Sequence, residues 1–578
     1  MTSLGFFRVQ PIGTALSGLI PVQIREYRPS ISLSLCALTL ICSILLGGGT
    51  RGGFLSDTIL ELISIPVLLI SLSSLIDLSI WQTRTRPDIY LGLAFCIVIV
   101  VLPLIQLVPL PPGLWSNLPG RADIANVFDA LGDQKPWLPL SVSPHATWLS
   151  FLSLFPPMAI FITATQLDYR ERRELSLVIV AIGIISVFVG LTQVADGPAS
   201  LLRFFTITNN TEAVGFFANR NHFAALLYAV LLFAAVWAID IGFKIKSWGD
   251  LKSFETGTAV ALLAILMIFV IIIAGEAMAR SRAGLALTIV ALLAVFTLAF
   301  MDARNAPGAK ASKLILGATI FAVILSMQFA VYRILDRFAT DPLENARGVF
   351  ALNTIKGAKA FMPFGAGSGT FVPVYQLFER PSDAIANTYA NHAHNDILEL
   401  WLETGVLGPV LLCLFVVWFA FRTVKLWRRP AVDASAFDRT LARAATVIIV
   451  LLLAHSFVDY PMRTEAIMAV FAVCCALIIE PLNEAEDGIK FAASLERYLV
   501  RRKEAPKAKA TAAPVNSSSL MPAAPLGLSE REPPRPRQAA RRWGAEIDWP
   551  EEWRSSDQKD QSNPKSDTNP ATKVDRES

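Results

Sequence analysis

Apolar residues in this chain come in long unbroken runs, not in alternation with polar ones. Runs of about 18–20 apolar residues recur from Ile31 onward, the length a helix needs to cross the hydrocarbon of a bilayer. They predict spans at 31–48, 57–77, 89–108, 148–166, 174–194, 222–241, 257–275, 284–301, 314–332, 405–422, 441–459 and 463–481, about twelve in all. Lipid leaves only helices or closed barrels, and the alternating strands of a barrel are missing from the pattern. The expected fold is all-α: a polytopic transmembrane helical bundle.

Two longer polar segments and a tail interrupt the runs. Pro109–Thr147 is rich in Pro and Trp ("PLPPGLWSNLPG", "KPWLPLSVSP") and is expected to lie along the membrane interface. The second, about 333–404, is a large loop. After about Asn483 the chain turns to Pro, Ala, Ser and charge without periodicity, which predicts a disordered tail. Within it "WGAEIDWPEEW" (543–553) is an island of aromatics and acids. No internal repeat is evident. The expected organisation is an N-terminal stretch 1–30, a transmembrane domain 31–482 and a tail 483–578.

Composition agrees with the pattern: 53% of residues are hydrophobic, 17% are charged, and mean hydropathy is +0.50. The six cysteines all lie inside apolar runs, so neither a disulfide framework nor a zinc site is expected. The first run, Ile31–Leu46, lacks a convincing small-residue cleavage site and reads as the first span, not a signal peptide.

The net charge of +4 matters less than where the charge falls. With a cytoplasmic N-terminus, alternate loops carry Arg84 and Arg86; Arg170, Arg172 and Arg173; Lys244, Lys246 and Lys252; Arg304, Lys310 and Lys313; and Arg422, Lys425, Arg428 and Arg429. The opposite loops are poor in basic residues. This places both termini in the cytoplasm and the loop 333–404 outside.

The unusual polar residues then gather on the outward side. "NRNHFA" (219–224) brings Arg220 and His222, "ARSRAG" (279–284) brings Arg280 and Arg282, and the large loop holds Arg347, "PFGAGSGTF" (363–371), His392 and His394. "HSFVDYPMR" (455–463) closes the eleventh span, and all five histidines fall on or close to this face. Taken singly, each has an ordinary reading. An arginine at a helix end commonly snorkels or meets lipid head groups. Glycines 365–369 read as tight turns, since a phosphate loop would end in Gly-Lys-Ser or Gly-Lys-Thr. His455 reads as a hydrogen-bonded helix-end residue. His392, His394 and Asp396 lack the spacing and the second cluster of a metal site. Taken together, several arginines beside a histidine at the membrane rim suit a lipid-linked diphosphate, because the guanidinium fork matches phosphate oxygens.

The run "HNDILELWLETG" has its own logic. It predicts a helix that opens on Asp396, with Glu399 as a capping partner, and that Gly405 loosens or ends. His394 would sit just before the helix N-terminus, where the dipole favours a neutral, basic imidazole. A general base needs that form at neutral pH.

"HNDILELWLETGVLG" matches His-[Asn/Ser/Gln]-x9-Gly-x-x-Gly through His394, Asn395, Gly405 and Gly408. With "GFFANRNHFA", "ARSRAG", Arg347 before "PFGAGSGTF", "HSFVDYP" and the early "PLPPGLW…LPLSVSPHATW", the chain resembles the O-antigen ligase and Wzy-type polymerase superfamily over about 30–480. The resemblance implies a metal-independent, inverting glycosyltransferase, without cofactor, at the periplasmic face of the bacterial inner membrane. Its donor would be a glycan on undecaprenyl diphosphate. Its acceptor would be lipid A–core in a ligase, or another lipid-linked glycan in a polymerase; membrane lipids but no nucleic acid are implied as partners. By position His394 would activate the acceptor hydroxyl. Arg347, Arg220 and one of Arg280 or Arg282 would hold the diphosphate, since residues two apart on a helix face differently. Asn395, Glu403, Gly405, Gly408 and His222 fall in the supporting motifs. The ligase is preferred for its full histidine motif. A polymerase of O-antigen or exopolysaccharide repeats is the alternative. From another class comes a polysaccharide-precursor transporter, which would place charges or broken helices at mid-membrane.

Overall fold

A computed structural model describes residues 30–81, 87–206, 208–244, 256–305, 342–384, 389–428 and 435–480. The chain divides into two compact units, Met1–Leu499 and Val500–Ser578, and the described residues all belong to the first. The expected N-terminal stretch and tail, and the expected span 314–332, lie outside the described residues apart from Ser30.

The described chain is helical. Its long helices are α1 (Ile31–Leu46), α2 (Leu55–Trp81) and α3 (Pro87–Gln106), followed by short α4 (Pro112–Trp115), α5 (Ala122–Leu131) and α6 (Pro144–Leu152). There follow α7 (Phe155–Gln166), α8 (Tyr169–Asp196), α9 (Arg220–Lys244), α10 (Thr256–Ala279) and α11 (Arg282–Asn305). After 341 come α12 (Pro342–Ala360), α13 (Phe371–Tyr375), α14 (Asp396–Thr404), α15 (Leu407–Arg428), α16 (Ala436–His455) and α17 (Glu465–Leu477).

Eleven of the twelve expected spans coincide with these helices. By length and composition, however, seven stretches among the described residues could cross a membrane, and Ile31–Leu46, Leu263–Ala279 and Glu465–Leu477 are apolar but shorter. The expected span 148–166 falls within one of these seven, Pro144–Gln166, whose helix is interrupted by a turn at Ser153–Leu154 before Pro156 and Pro157 in the first turn of α7. Proline has no N–H to donate, which is harmless in a first turn and disruptive inside a helix.

At the centre stands α9. From Phe223 to Val236 every residue is buried, as an evenly apolar, alanine-rich helix requires. It packs against α8, α10, α11 and α16. Polar residues knit neighbouring helices: Ser71 and Thr163 share a hydrogen bond of 2.5 Å, and Gln166 donates to the Ser71 carbonyl at 2.9 Å.

One end of the bundle is bound by the basic residues that set the orientation. Arg172 is buried and donates to the carbonyls of Thr165, Ala476 and Ile479, closing the C-terminal ends of α7 and α17. Arg173 pairs with Asp438 at 2.6 Å, and Arg422 bonds Asp88 and the Ile478 carbonyl.

The two polar segments meet at the other end. Pro109–Leu110 pairs antiparallel with Leu138–Pro139, and the turn that follows docks on the glycine-rich stretch. Val142 N–H donates to Ala366 O at 2.8 Å, and Thr147 Oγ1 donates to Ser368 O at 2.7 Å. Pro109–Thr147 is thus one wall of a folded cap. Backbone groups in an irregular segment need partners, and the glycine-rich stretch supplies them.

Candidate functional site

The cap is organised around α14. Its N-cap is Asn395, whose Oδ1 accepts from Ile397 N–H and Leu398 N–H at 3.1 and 3.0 Å. This corrects the expected Asp396–Glu399 capping pair. Asp396 lies inside the helix, buried, and accepts from Ser456 Oγ at 2.7 Å. Glu399 reaches back past the cap to Ala393 N–H at 2.9 Å.

Asp396, Glu399 and Glu403 stand three and four residues apart and so share one face of the helix. Against them lies Arg463, with Nη1 2.6 Å from Glu403 and 3.6 Å from Glu399, and Nε 3.6 Å from Asp396. Burial and one cation for several carboxylates spread their behaviour. Burial pushes Asp396 up to about 7 against the pull of Arg463. Burial raises Glu403 as well. In Glu399 burial is outweighed by His392 and Arg463, which hold the carboxyl below its usual range.

His392 belongs to this clamp. Nδ1 lies 2.7 Å from Glu399 Oε1 and Nε2 lies 2.8 Å from Thr50 O. Both partners are acceptors, so both ring nitrogens donate and the ring is an imidazolium. Burial opposes that form, but the Glu399 charge and hydrogen bond prevail and raise the pKa. With no free lone pair, His392 has none for a metal or a substrate proton.

His394 differs. Its backbone is left-handed at φ +50°, a conformation that costs a non-glycine residue about 1–2 kcal/mol. The ring is held by three groups. Phe350 of α12 stacks on it at 5.9 Å, Tyr460 meets it edge-on at 4.9 Å, and Asp459 Oδ1 lies 2.9 Å from Nδ1.

Asp459 is fully buried and accepts from Asn221 Nδ2 by a short bond and from Asn219 Nδ2 at 3.5 Å. Burial opposes ionisation here, but the hydrogen bond and charge of His394 and the neighbouring histidines hold the carboxyl far below its usual range. An ionised Asp459 can only accept, so Nδ1 of His394 is the N–H. Nε2 makes no hydrogen bond among the described residues, and in the neutral ring it carries the lone pair.

Through Asp459 the sequence motifs converge. Ser281 of "ARSRAG" donates to Asn221 Oδ1 at 2.8 Å, Asn221 of "NRNHFA" donates to Asp459 of "HSFVDYP", and Asp459 holds His394. Sequence reading selected the arginines beside these groups and missed Asn219, Asn221, Ser281, Asp459 and Tyr460. Their signal was present: "SFVDYP" sets one acid among apolar residues at a helix end, facing loops rich in arginine.

The arginines fall into two sets. Arg220 pairs with Glu212 at 2.7 Å, and Arg282 opens α11 and already interacts with other groups of the chain. Arg280 stands in the turn between α10 and α11 at φ +51°, so it and Arg282 are not neighbours on one helix and the expected choice between faces does not arise. Arg347 lies on α12 one turn before Phe350, on the face that meets His394, and its charge also acts on His455. Both Arg280 and Arg347 are half-buried and make no hydrogen bond or ion pair among the described residues.

His222 is fully buried, edge-on to Tyr460 at 4.8 Å, with neither ring nitrogen hydrogen-bonded among the described residues. The glycines serve packing. A Cβ at Gly405 (φ +60°) would strike Pro363 O, one at Gly365 would strike Glu403 O, and one at Gly408 would strike Thr404 Oγ1. They let 363–367 and the end of α14 form a backbone seam, in which Gly367 N–H meets Glu403 O at 2.9 Å and Val406 N–H meets Pro363 O at 3.0 Å.

The family model for O-antigen ligase matches residues 254–413, which include Arg280, Arg282, Arg347, His394 and Gly405. Over that stretch the chain is similar to the O-antigen ligases. The match ends before Asp459, so the carboxylate that orients His394 comes from outside the matched region. No curated protein matches the chain. A cavity of about 850 Å³ adjoins α14, lined by His392, Asp396, Glu399, Glu403 and Arg463 but not by His394 or Asp459.

Proposed function

We propose that the protein is an inverting glycosyltransferase that moves a glycan from undecaprenyl diphosphate to a sugar hydroxyl of lipid A–core. Its site would face the periplasm from the inner membrane, with both termini cytoplasmic. The observation that carries the reading is the His394 ring, fixed through Nδ1 by a buried carboxylate, with Nε2 unengaged among the described residues and Arg347 one helical turn from the Phe350 that stacks on it.

In this reading Nε2 of His394 takes the proton of the acceptor hydroxyl as its oxygen attacks the anomeric carbon. Asp459 holds the ring in one tautomer and stabilises the imidazolium that forms. The bond from the anomeric carbon to the diphosphate oxygen breaks, and both electrons leave with the lipid diphosphate. Attack opposite the leaving group inverts the centre. Arg347 and Arg280, whose guanidinium groups are uncommitted among the described residues, meet the growing negative charge. Arg220 would join them by exchanging Glu212 for phosphate. A diphosphate is a good leaving group once its charge is met, so the chain's own cations suffice and no metal is invoked.

A strain lacking the protein tests the acceptor. Loss of polymer from lipid A–core with lipid-linked polymer intact supports the ligase. Single repeats left on the core would assign the same chemistry to a polymerase with a lipid-linked acceptor.

A further inference from the structure

The cavity beside α14 has walls and an end of opposite character. Phe95 and Ile99 of α3, Leu411 and Phe415 of α15, and Met468 and Phe471 of α17 make its sides apolar. Its volume of about 850 Å³ is that of a ligand site. Into the same cavity face Asp57 and Glu61 of α2 and Glu465 of α17, with 8, 6 and 7% of their surface exposed. Asp57 is satisfied by Phe54 N–H at 3.1 Å and by Ser56. Glu61 and Glu465 are not: neither carboxyl makes a hydrogen bond or ion pair among the described residues, and Glu465 Oε2 is buried without a partner.

Buried carboxyls left so are costly, and a donor that fills the cavity removes the cost. The nearby Arg463 is committed to Asp396, Glu399 and Glu403. So is the His392 ring, to Glu399 and Thr50 O, but Arg51, which also lines the cavity, lies 4.8 Å over the Tyr389 ring and makes no ion pair among the described residues. The cavity thus offers apolar walls, two partnerless carboxyls and a separate guanidinium. That is the complement of an amphiphile bearing a primary ammonium and a phosphate.

We propose that this cavity binds an ethanolamine phospholipid. Its ammonium meets Glu61 and Glu465, its phosphate meets Arg51, and an acyl chain lies between α3, α15 and α17. The three N–H donors of a primary ammonium serve both carboxyls, whereas a choline head has none. His392 and Glu403 also line the cavity, so the lipid touches the clamp that carries α14. This proposal does not rest on the glycosyl-transfer reading.

The test uses the full chain, reconstituted in vesicles of equal parts ethanolamine, choline and glycerol phospholipid and re-extracted in mild detergent. Mass spectrometry of the retained lipid should show the ethanolamine lipid enriched over both others. Glu61→Gln with Glu465→Gln should lower that enrichment about tenfold, as loss of a charge-assisted hydrogen bond does. If the double variant does not insert, competition on the wild type decides: dodecylamine should displace the lipid and dodecyltrimethylammonium should not. Equal retention of the choline lipid, preference for the anionic lipid, unchanged enrichment in the double variant, or displacement by both amines equally would overturn the proposal. So would enrichment that EDTA abolishes and a divalent ion restores.

Discussion

His394 Nδ1 and Asp459 Oδ1 lie 2.9 Å apart across 65 residues of sequence, and Asp459 is fully buried while the histidine ring is partly open. A buried acid whose other bonds come from Asn219 and Asn221 can present one acceptor direction to the ring. The relationship fixes which nitrogen of His394 remains for substrate.

Asp459→Asn should keep the ring in place and lose the anion that stabilises imidazolium. The turnover rate should fall by about 10²–10⁴, with donor affinity held. Single-turnover glycan transfer and donor binding, measured separately, check the split. An equal fall in affinity would make Asp459 a folding residue instead.

Arg347 lies a turn from the Phe350 that stacks on His394. Arg347→Ala should weaken binding of the lipid-diphosphate donor about tenfold or more. Arg347→Lys should recover part of that, since it keeps the charge and loses the planar fork. Full donor affinity in Arg347→Ala would pass the diphosphate to Arg280 and Arg220.

The clamp under α14 predicts a pH dependence of stability. His392 is held above the usual histidine range by Glu399, and Asp396 is pushed up to about 7 by burial. A folded-state pKa raised above the unfolded value contributes stability that is complete below the unfolded pKa and lost as pH rises through the folded one. The window therefore runs from about pH 4 to 7 for Asp396 and upward from about pH 6.5 for His392, and Glu399, which is depressed, acts only in acid. Thermal unfolding of the purified protein should fall as pH rises through this window. His392→Gln should flatten the profile, and a wild-type midpoint that rose with pH would refute the clamp.

The spans were legible in the sequence because membrane helices need unbroken apolar length, and α9 announced its burial by being apolar on every side. The turn before Pro156 lies inside one apolar run, so the hydrophobic pattern gives the span and only the prolines hint at the turn. The helices α12 and α13 were hidden in a loop, since "ENARGVFALNTIKGAKA" has little apolar length. His394, Arg347 and the ends of α14 could be read from their motif. Asn395 as the cap could not be chosen over Asp396, because both residue types cap helices. Asp459, Asn221 and Ser281 are short polar residues at helix ends, where capping explains them well enough. Only their meeting in space gives them a further role.

In the proposed reaction Nε2 of His394 is the base. The direct measurement is single-turnover glycan transfer by purified His394→Ala, beside His392→Ala and wild type, in EDTA. His394→Ala should bind the lipid-linked donor near normally and lose about 10²–10⁴ in rate. His392→Ala loses stability more than rate, and EDTA leaves the wild type unchanged. Wild-type turnover by His394→Ala, or an EDTA block that a divalent ion relieves, would contradict it.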